Sequence, residues 1–121
     1  MKRVLVVEDD KINAFIIKKF LSADYDIIIM QESNDVLNSA EKGESYDAVL
    51  MDINLGEDDI DGTELLHKIK EFDQFANTPV IATTAYAMSG DRKRFIDEGF
   101  TDYLAKPISK PELTNMLESV T

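Results

Sequence analysis

The sequence places acidic side chains directly after two apolar runs. Acids occupy positions 8–10 after the run at 4–7, and Asp52 follows the run at 48–51. Carboxylates that pack together repel one another, so the pKa of each would rise unless a cation neutralised the group. Oxygen ligands without a His or Cys partner favour Mg²⁺, which keeps waters that a substrate phosphate can displace. The two runs therefore predict a magnesium site, provided that their ends meet.

A hydroxyl and an ammonium group follow two later apolar runs. Thr83 and Thr84 close one of them, and Lys106 follows the run at 103–105. A magnesium ion, a lysine and a threonine hydroxyl together stabilise charge spread over phosphoryl oxygens, and an Asp carboxylate can act as the nucleophile. These residue types favour phosphoryl chemistry.

Periodicity predicts the elements that would position these groups. Continuous apolar runs, of the kind that strands buried on both faces need, alternate with segments of helical period. Gly43 and Gly99 close two helices, while Asp61 and Ser109 each stand three residues before a Glu and match a capping box. The predicted strands are 4–7, 27–30, 48–51, 80–83 and 103–105. A fourth helix is predicted around 92–98. The predicted inward faces of the other four helices are, in chain order, Ile16, Ile17, Phe20 and Leu21; Val36, Leu37 and Ala40; Leu65, Leu66, Ile69 and Phe72; and Leu113, Met116, Leu117 and Val120.

Five strands in alternation with five helices predict a three-layer α/β sandwich, in which helices cover both faces of a parallel sheet. The expected architecture is a doubly wound (βα)5 fold of the flavodoxin-like type, with strand order 2-1-3-4-5, in a single domain over residues 1–121. Ligands of such sheets bind outside the carboxyl ends of the strands, where the strand order reverses. The acids, the threonines and the lysine are expected to converge there.

Composition narrows the functions further. The 121 residues carry a net charge of -11, which repels nucleic acids and anionic membranes. The absence of cysteine excludes disulfides, thiolate metal sites and cysteine nucleophiles. No apolar stretch approaches the roughly 18 residues of a membrane span, and the first apolar run is too short for a signal peptide. A cytoplasmic protein without nucleic-acid or membrane partners is expected.

Five short motifs stand at the predicted strand ends and loops: VVEDD at 6–10, LMD at 50–52, DG at 61–62, TTA at 83–85 and YLAKP at 103–107. Together, and in this order, they resemble the receiver domain of two-component response regulators over essentially the whole chain. The resemblance implies a phosphorelay module that accepts a phosphoryl group from a sensor histidine kinase or a histidine phosphotransfer domain. It also supports the strand order given above, and it implies a signalling switch that assists its own phosphorylation and dephosphorylation rather than an enzyme.

The resemblance assigns the phosphoacceptor and its metal ligands. It makes Asp52 the acceptor, and it makes Glu8 and Asp9 the acidic pair that holds Mg²⁺, with Mn²⁺ as a substitute. Asp52 itself and the backbone carbonyl of Asn54 complete the metal site. Asp10 falls just after the acidic pair and is interpreted as the cap of the first helix.

The resemblance also assigns the residues that contact the phosphoryl group and transmit its presence. Lys106 would contact the group, Thr84 would reach one of its oxygens, and Pro107 would follow in an unusual backbone geometry, often with a cis bond. Tyr103 takes the position of the switch aromatic, which turns inward as the threonine moves. An output partner, not identified by the sequence, is expected at the face of the fourth helix, fifth strand and fifth helix.

Two neighbours of the acceptor are expected to set how long the phosphoryl group survives. By resemblance they are Asn54, two residues after the acceptor, and Tyr86, two residues after Thr84. Water attacks an aspartyl phosphate in line, opposite the aspartyl oxygen, so side chains beside that path control hydrolysis. Asn54 and Tyr86 are therefore the predicted tuning residues.

The loop after the acceptor departs from the family. The family usually has Pro at the position of Gly56, and the segment GEDDIDG at 56–62 makes the loop two residues longer. As a calcium loop, this acidic segment would place Lys68 where a bidentate Glu must close the site, which excludes that interpretation. His67, the single histidine, is interpreted as a surface residue.

Two other functions share parts of this pattern. An aspartate-nucleophile phosphohydrolase also uses Asp, Mg²⁺ and Lys, but it normally carries a second acid where this chain has Asn54. A degenerate receiver that serves only for docking would lack part of the acceptor set, which is intact in this sequence. The chain is expected to be either a stand-alone receiver or a receiver from a longer protein.

Overall fold

One open sheet organises the computed structural model, which describes residues 1–86 and 88–121. The strands are β1 (Lys2–Val7), β2 (Tyr25–Met30), β3 (Ala48–Asp52), β4 (Val80–Thr84) and β5 (Asp102–Ala105). The helices are α1 (Lys11–Leu21), α2 (Ser33–Glu41), α3 (Gly62–Ile69), α4 (Asp91–Glu98) and α5 (Lys110–Val120), and a 3-10 turn at Asp73–Phe75 follows α3. All strand pairs are parallel, and the order β2-β1-β3-β4-β5 confirms the prediction.

Helices cover both faces of the sheet, as predicted for a three-layer sandwich. Side chains alternate between the two faces along a strand, so β1 sends Val4 and Val6 into one core and Leu5 and Val7 into the other. Helices α1 and α5 close the first core, and α2, α3 and α4 close the second. Because the central strands are buried on both faces, polar groups are presented mainly at their ends.

Local capping fixes where three helices begin. The Asp10 carboxylate accepts the N–H of Ile12 at 2.8 Å and caps α1, which confirms its predicted role. Asp61 caps α3 by accepting the N–H of Glu64 at 2.8 Å. Ser109 does the same for α5. In each case a side-chain oxygen satisfies an N–H that has no partner within the helix.

Two predicted inward positions need correction. Ile16 is exposed, because the buried stripe of α1 runs through Ala14, Ile17 and Leu21 and leaves the adjacent position outside. Phe72 lies beyond the end of α3 rather than on its face, although it packs, partly buried, against the core. In the described part of the chain, no helix has the length and apolar character needed to cross a membrane.

Candidate phosphoacceptor site

The acids predicted to bind metal meet at the carboxyl ends of β1 and β3. These strands are neighbours, with Val7 opposite Met51, so the residues that follow them share one edge of the sheet. Carboxylate oxygens of Glu8, Asp9 and Asp52 lie within 4.8 Å of one another. An all-carboxylate donor set at this spacing fits a hard divalent cation such as Mg²⁺.

Lys106 joins this cluster from the far end of the chain. Its Nζ lies 2.8 Å from Glu8 Oε1 and 3.1 Å from Asp52 Oδ2. Its backbone N–H donates to the carbonyl of Thr84 at 2.7 Å, so contact between the β4 and β5 ends continues beyond the strands. The fold thus places the ammonium group of Lys106 in ion pairs with two of the three carboxylates.

Burial and charge oppose each other at these groups. Glu8 is 1% exposed, and burial raises its pKa to about 8, with Asp52 adding to the rise and Lys106 opposing it. Burial alone would lower the pKa of Lys106, but its contacts with Glu8 and Asp52 raise it, so the ammonium stays charged. A further cation at the cluster would favour the ionised form of Glu8, since one lysine cannot neutralise three ionised carboxylates.

Close packing of the backbone holds Asp52 in place. Asp52 Oδ1 accepts the N–H of Asn54 at 3.2 Å, and the Gly62 N–H donates to the carbonyl of Ile53 at 2.8 Å. A Cβ atom at position 62 would lie 2.3 Å from the carbonyl oxygen of Asp52. Only glycine fits this approach, which lets α3 begin directly against Asp52.

An open cleft lies beside the carboxylates, and both predicted tuning residues line it. Thr84 is buried, and its Oγ1 accepts the N–H of Tyr86 at 3.1 Å. Tyr86 itself is 76% exposed. The residues that line the cleft include Thr84, Tyr86, Asp9, Asp52, Asn54 and Lys106. The residues that line the cleft are therefore largely those that the sequence singled out.

Tyr103 lies on β5 with its ring against α4. The residue is half-buried, and its ring centroid lies 5.6 Å from that of Phe95. The peptide bond between Lys106 and Pro107 is cis, as the resemblance implies. Tyr103 thus occupies the predicted output face, and its part in switching stays a prediction.

Two further residues that the sequence singled out, Gly56 and His67, have clear surroundings in the structure. Gly56 has φ +105°, a conformation closed to proline, the residue that the family usually has at this position. The His67 Nε2 lies 3.0 Å from the carbonyl oxygen of Glu98, on the surface where α3 meets the end of α4. The histidine is therefore no part of the carboxylate cluster.

Sequence reasoning missed an apolar patch on α1. Ile12, Phe15 and Ile16, which we call the α1 patch, are 71%, 64% and 40% exposed. Their spacing places them on one side of the helix, and Ile16 lines a pocket with Lys106 and Pro107. A signal was present in the sequence, because α1 carries more apolar residues than one buried stripe uses.

The fold and the carboxylate cluster agree with one class of protein, the receiver domains of two-component signalling. The family model described as the response regulator receiver domain matches residues 4–118, and the chain belongs to this family. It is 34% identical over 119 residues to the polar-differentiation response regulator DivK of Brucella anthropi, covering 98% of this chain and 94% of that protein. It is also 34% identical over 125 residues to hybrid signal transduction histidine kinase I of Dictyostelium discoideum, where it spans only 7% of the kinase.

Solved structures give the same fold. The receiver domain of a sensor histidine kinase from Pseudomonas aeruginosa, with a magnesium ion coordinated in its active-site cleft, is 33% identical, with a TM-score of 0.85 and coverage of 98% of this chain and 96% of that chain. The chemotaxis protein CheY4 of Vibrio cholerae has a TM-score of 0.89 at 23% identity, covering 100% of this chain and 99% of that chain, which supports the fold alone.

Proposed function

We propose that this receiver takes a phosphoryl group from the phosphohistidine of a histidine kinase or phosphotransfer domain onto Asp52, in a Mg²⁺-dependent reaction, and then switches partner binding. The observation that carries the proposal is the convergence of Glu8, Asp9, Asp52 and Lys106 at one edge of the sheet. Incubation with acetyl phosphate and Mg²⁺, followed by intact-mass analysis, tests it. The native chain is expected to gain one phosphoryl group.

The carboxylates of Glu8, Asp9 and Asp52 and the backbone carbonyl of Asn54 are the proposed metal ligands. The all-oxygen cluster supports this assignment, as does the magnesium ion in the related Pseudomonas structure. When bound, Mg²⁺ supplies positive charge that neutralises the phosphoryl oxygens. Mn²⁺ prefers the same oxygen ligands and is expected to substitute.

The side chains around Asp52 perform the transfer. A carboxylate oxygen of Asp52 attacks phosphorus while the bond from phosphorus to the donor's imidazole nitrogen breaks, and that nitrogen keeps the electron pair. The Lys106 ammonium, 3.1 Å from Asp52 Oδ2 before transfer, stabilises charge on the phosphoryl oxygens. The Thr84 hydroxyl then donates to one of these oxygens, and its movement lets Tyr103 turn inward.

The α1 patch is the proposed docking surface for the phosphohistidine partner. The patch exposes three apolar side chains beside the acceptor site, and Asn13, on the same helix, lines the cleft itself. A partner that delivers a phosphoryl group to Asp52 must cover the rim of this cleft. Burial of apolar side chains next to the rim would stabilise that encounter.

Loss of the Thr84 hydroxyl should separate phosphorylation from output. We expect Thr84→Ala to accept a phosphoryl group but to lose most of the phosphorylation-dependent chemical-shift change on α4, β5 and α5. The reason is that alanine has no hydroxyl to move toward the phosphoryl group. The free energy of coupling between phosphorylation and the output face is expected to be about 1 to 3 kcal/mol. Thr84→Ser keeps the hydroxyl and should retain the change. A full change in Thr84→Ala would rule out this coupling.

The exposed ring of Tyr86 should protect the phosphorylated state. We expect Tyr86→Ala to shorten the half-life of the aspartyl phosphate by up to roughly tenfold, because a small side chain leaves the in-line path of water open. The measurement is loss of label after removal of the donor at fixed Mg²⁺, and Tyr86→Phe is the control that keeps the ring. An unchanged rate in Tyr86→Ala would shift the role to Asn54.

A further inference from the structure

One carboxylate ties the long loop after the acceptor to a distant helix. In this loop, residues 53–61 between β3 and α3, Asp59 accepts the N–H of Ser33 at 2.9 Å and that of Ile60 at 2.8 Å. It also accepts the Ser33 hydroxyl. Ser33 is buried and is the first residue of α2, so the loop reaches a helix that precedes it in the chain.

This contact takes the place of a local helix cap. Glu32 stands before α2 but makes no side-chain capping hydrogen bond. The first N–H groups of a helix need acceptors, and a carboxylate there is favoured by the helix dipole. Burial acts in the opposite direction, but the hydrogen bonds from Ser33 and Ile60 lower the pKa of Asp59. An ionised Asp59 therefore caps α2 from another part of the chain.

Hydrogen bonds continue from Asp59 back to the acceptor. The Asp59 N–H donates to the Gly56 carbonyl at 3.4 Å, and the Gly56 N–H donates to Asn54 Oδ1 at 3.1 Å. The Asn54 N–H in turn donates to Asp52 Oδ1 at 3.2 Å. The Asp52 carboxylate and the start of α2 are thus joined by an unbroken series of contacts, a route through which the two can influence each other.

We propose that Asp59 is a positioning residue for the acceptor site, because it clamps the loop to α2 and thereby holds Asn54 at the rim of the cleft. The inference rests on the proposed function, in which the Asn54 carbonyl helps to hold Mg²⁺. Gly56, at φ +105°, gives the loop a path toward α2 that proline would not allow. Since coupling is reciprocal, Mg²⁺ at the site should strengthen the contact between Asp59 and Ser33.

Calorimetric titration of the unphosphorylated protein with Mg²⁺ tests the clamp. Asp59→Ala is expected to weaken Mg²⁺ binding by roughly tenfold, the lower end of the effect known for residues that orient metal ligands. Asp58→Ala is the matched control, because it removes one negative charge from the adjacent exposed position of the same loop. Equal Mg²⁺ affinities of the two variants would overturn the clamp, since Asp59 would then act through its charge alone.

Hydrogen exchange at the Ser33 amide gives a second readout, independent of phosphorylation. We expect Mg²⁺ to slow this exchange in the native chain but not in the Asp59→Ala protein. Ser33→Ala, which keeps the loop charge and the backbone donor, should weaken Mg²⁺ binding by about twofold and carries the test if Asp59→Ala fails to fold. If Mg²⁺ binds the native chain but does not change hydrogen exchange at the Ser33 amide, the clamp is overturned. If the native chain does not bind Mg²⁺ at all, the proposed function is overturned instead.

Discussion

Asp52→Asn is expected to gain no phosphoryl group from acetyl phosphate under conditions in which the native chain gains one. The amide is a poor nucleophile, and it removes the carboxylate that lies 3.1 Å from Lys106 Nζ. Glu8 is buried against the same lysine, and Asp9 serves as a proposed metal ligand. Neither acid is expected to replace the acceptor. Intact mass before and after incubation measures the result.

Asp24→Asn is the control for this variant. Asp24 is an exposed acid in the turn between α1 and β2, at the amino ends of the strands and thus far from the cleft. This control should be phosphorylated like the native chain. Circular dichroism should show that both variants fold. Phosphorylation of Asp52→Asn at the native rate would contradict the assignment, and a native chain that is never phosphorylated would favour a docking-only receiver.

Phe15→Ala should slow phosphotransfer from a phosphorylated histidine phosphotransfer domain by about tenfold or more, while phosphorylation by acetyl phosphate stays unchanged. Phe15 is 64% exposed and is the one aromatic residue of the α1 patch, and loss of an aromatic anchor in an interface costs on the order of 2 kcal/mol. Acetyl phosphate enters the cleft without docking. The ratio of the rate with the phosphohistidine donor to the rate with acetyl phosphate therefore measures the contribution of docking alone. The experiment uses a donor domain that phosphorylates the native chain.

Ile96→Ala provides a matched control for the docking experiment. Ile96 is also an exposed apolar residue on a helix, 47% exposed on α4, but it lies on the proposed output face. Its loss should leave transfer from the phosphohistidine donor unchanged. Equal slowing of both donors by Phe15→Ala would mean that the residue supports the site rather than the partner. Unchanged transfer from the phosphohistidine donor would exclude the α1 patch as the docking surface.

The architecture and most of the proposed site followed from the sequence, because both depend on local order along the chain. Apolar runs of strand length between helical segments predict a parallel sheet. Parallel strands end at the same edge, so residues at the carboxyl ends of β1, β3, β4 and β5 are brought to one edge of the sheet. Asp52 and Lys106 could therefore be placed together although they are far apart in the sequence. The caps at Asp10, Asp61 and Ser109 were equally local, since each bonds residues two or three positions away.

Only the tertiary structure decided which of several similar residues does what. Glu8 is buried and Asp9 is exposed, because successive side chains after β1 point to different surroundings. Asp59 looks like its acidic neighbours in the sequence, yet it alone of the loop acids contacts Ser33 across 26 positions in the described chain. Ile16 lies outside because α1 packs on the sheet through the stripe of Ala14, Ile17 and Leu21. Periodicity encodes which faces are apolar, whereas contacts between elements depend on how those faces pack.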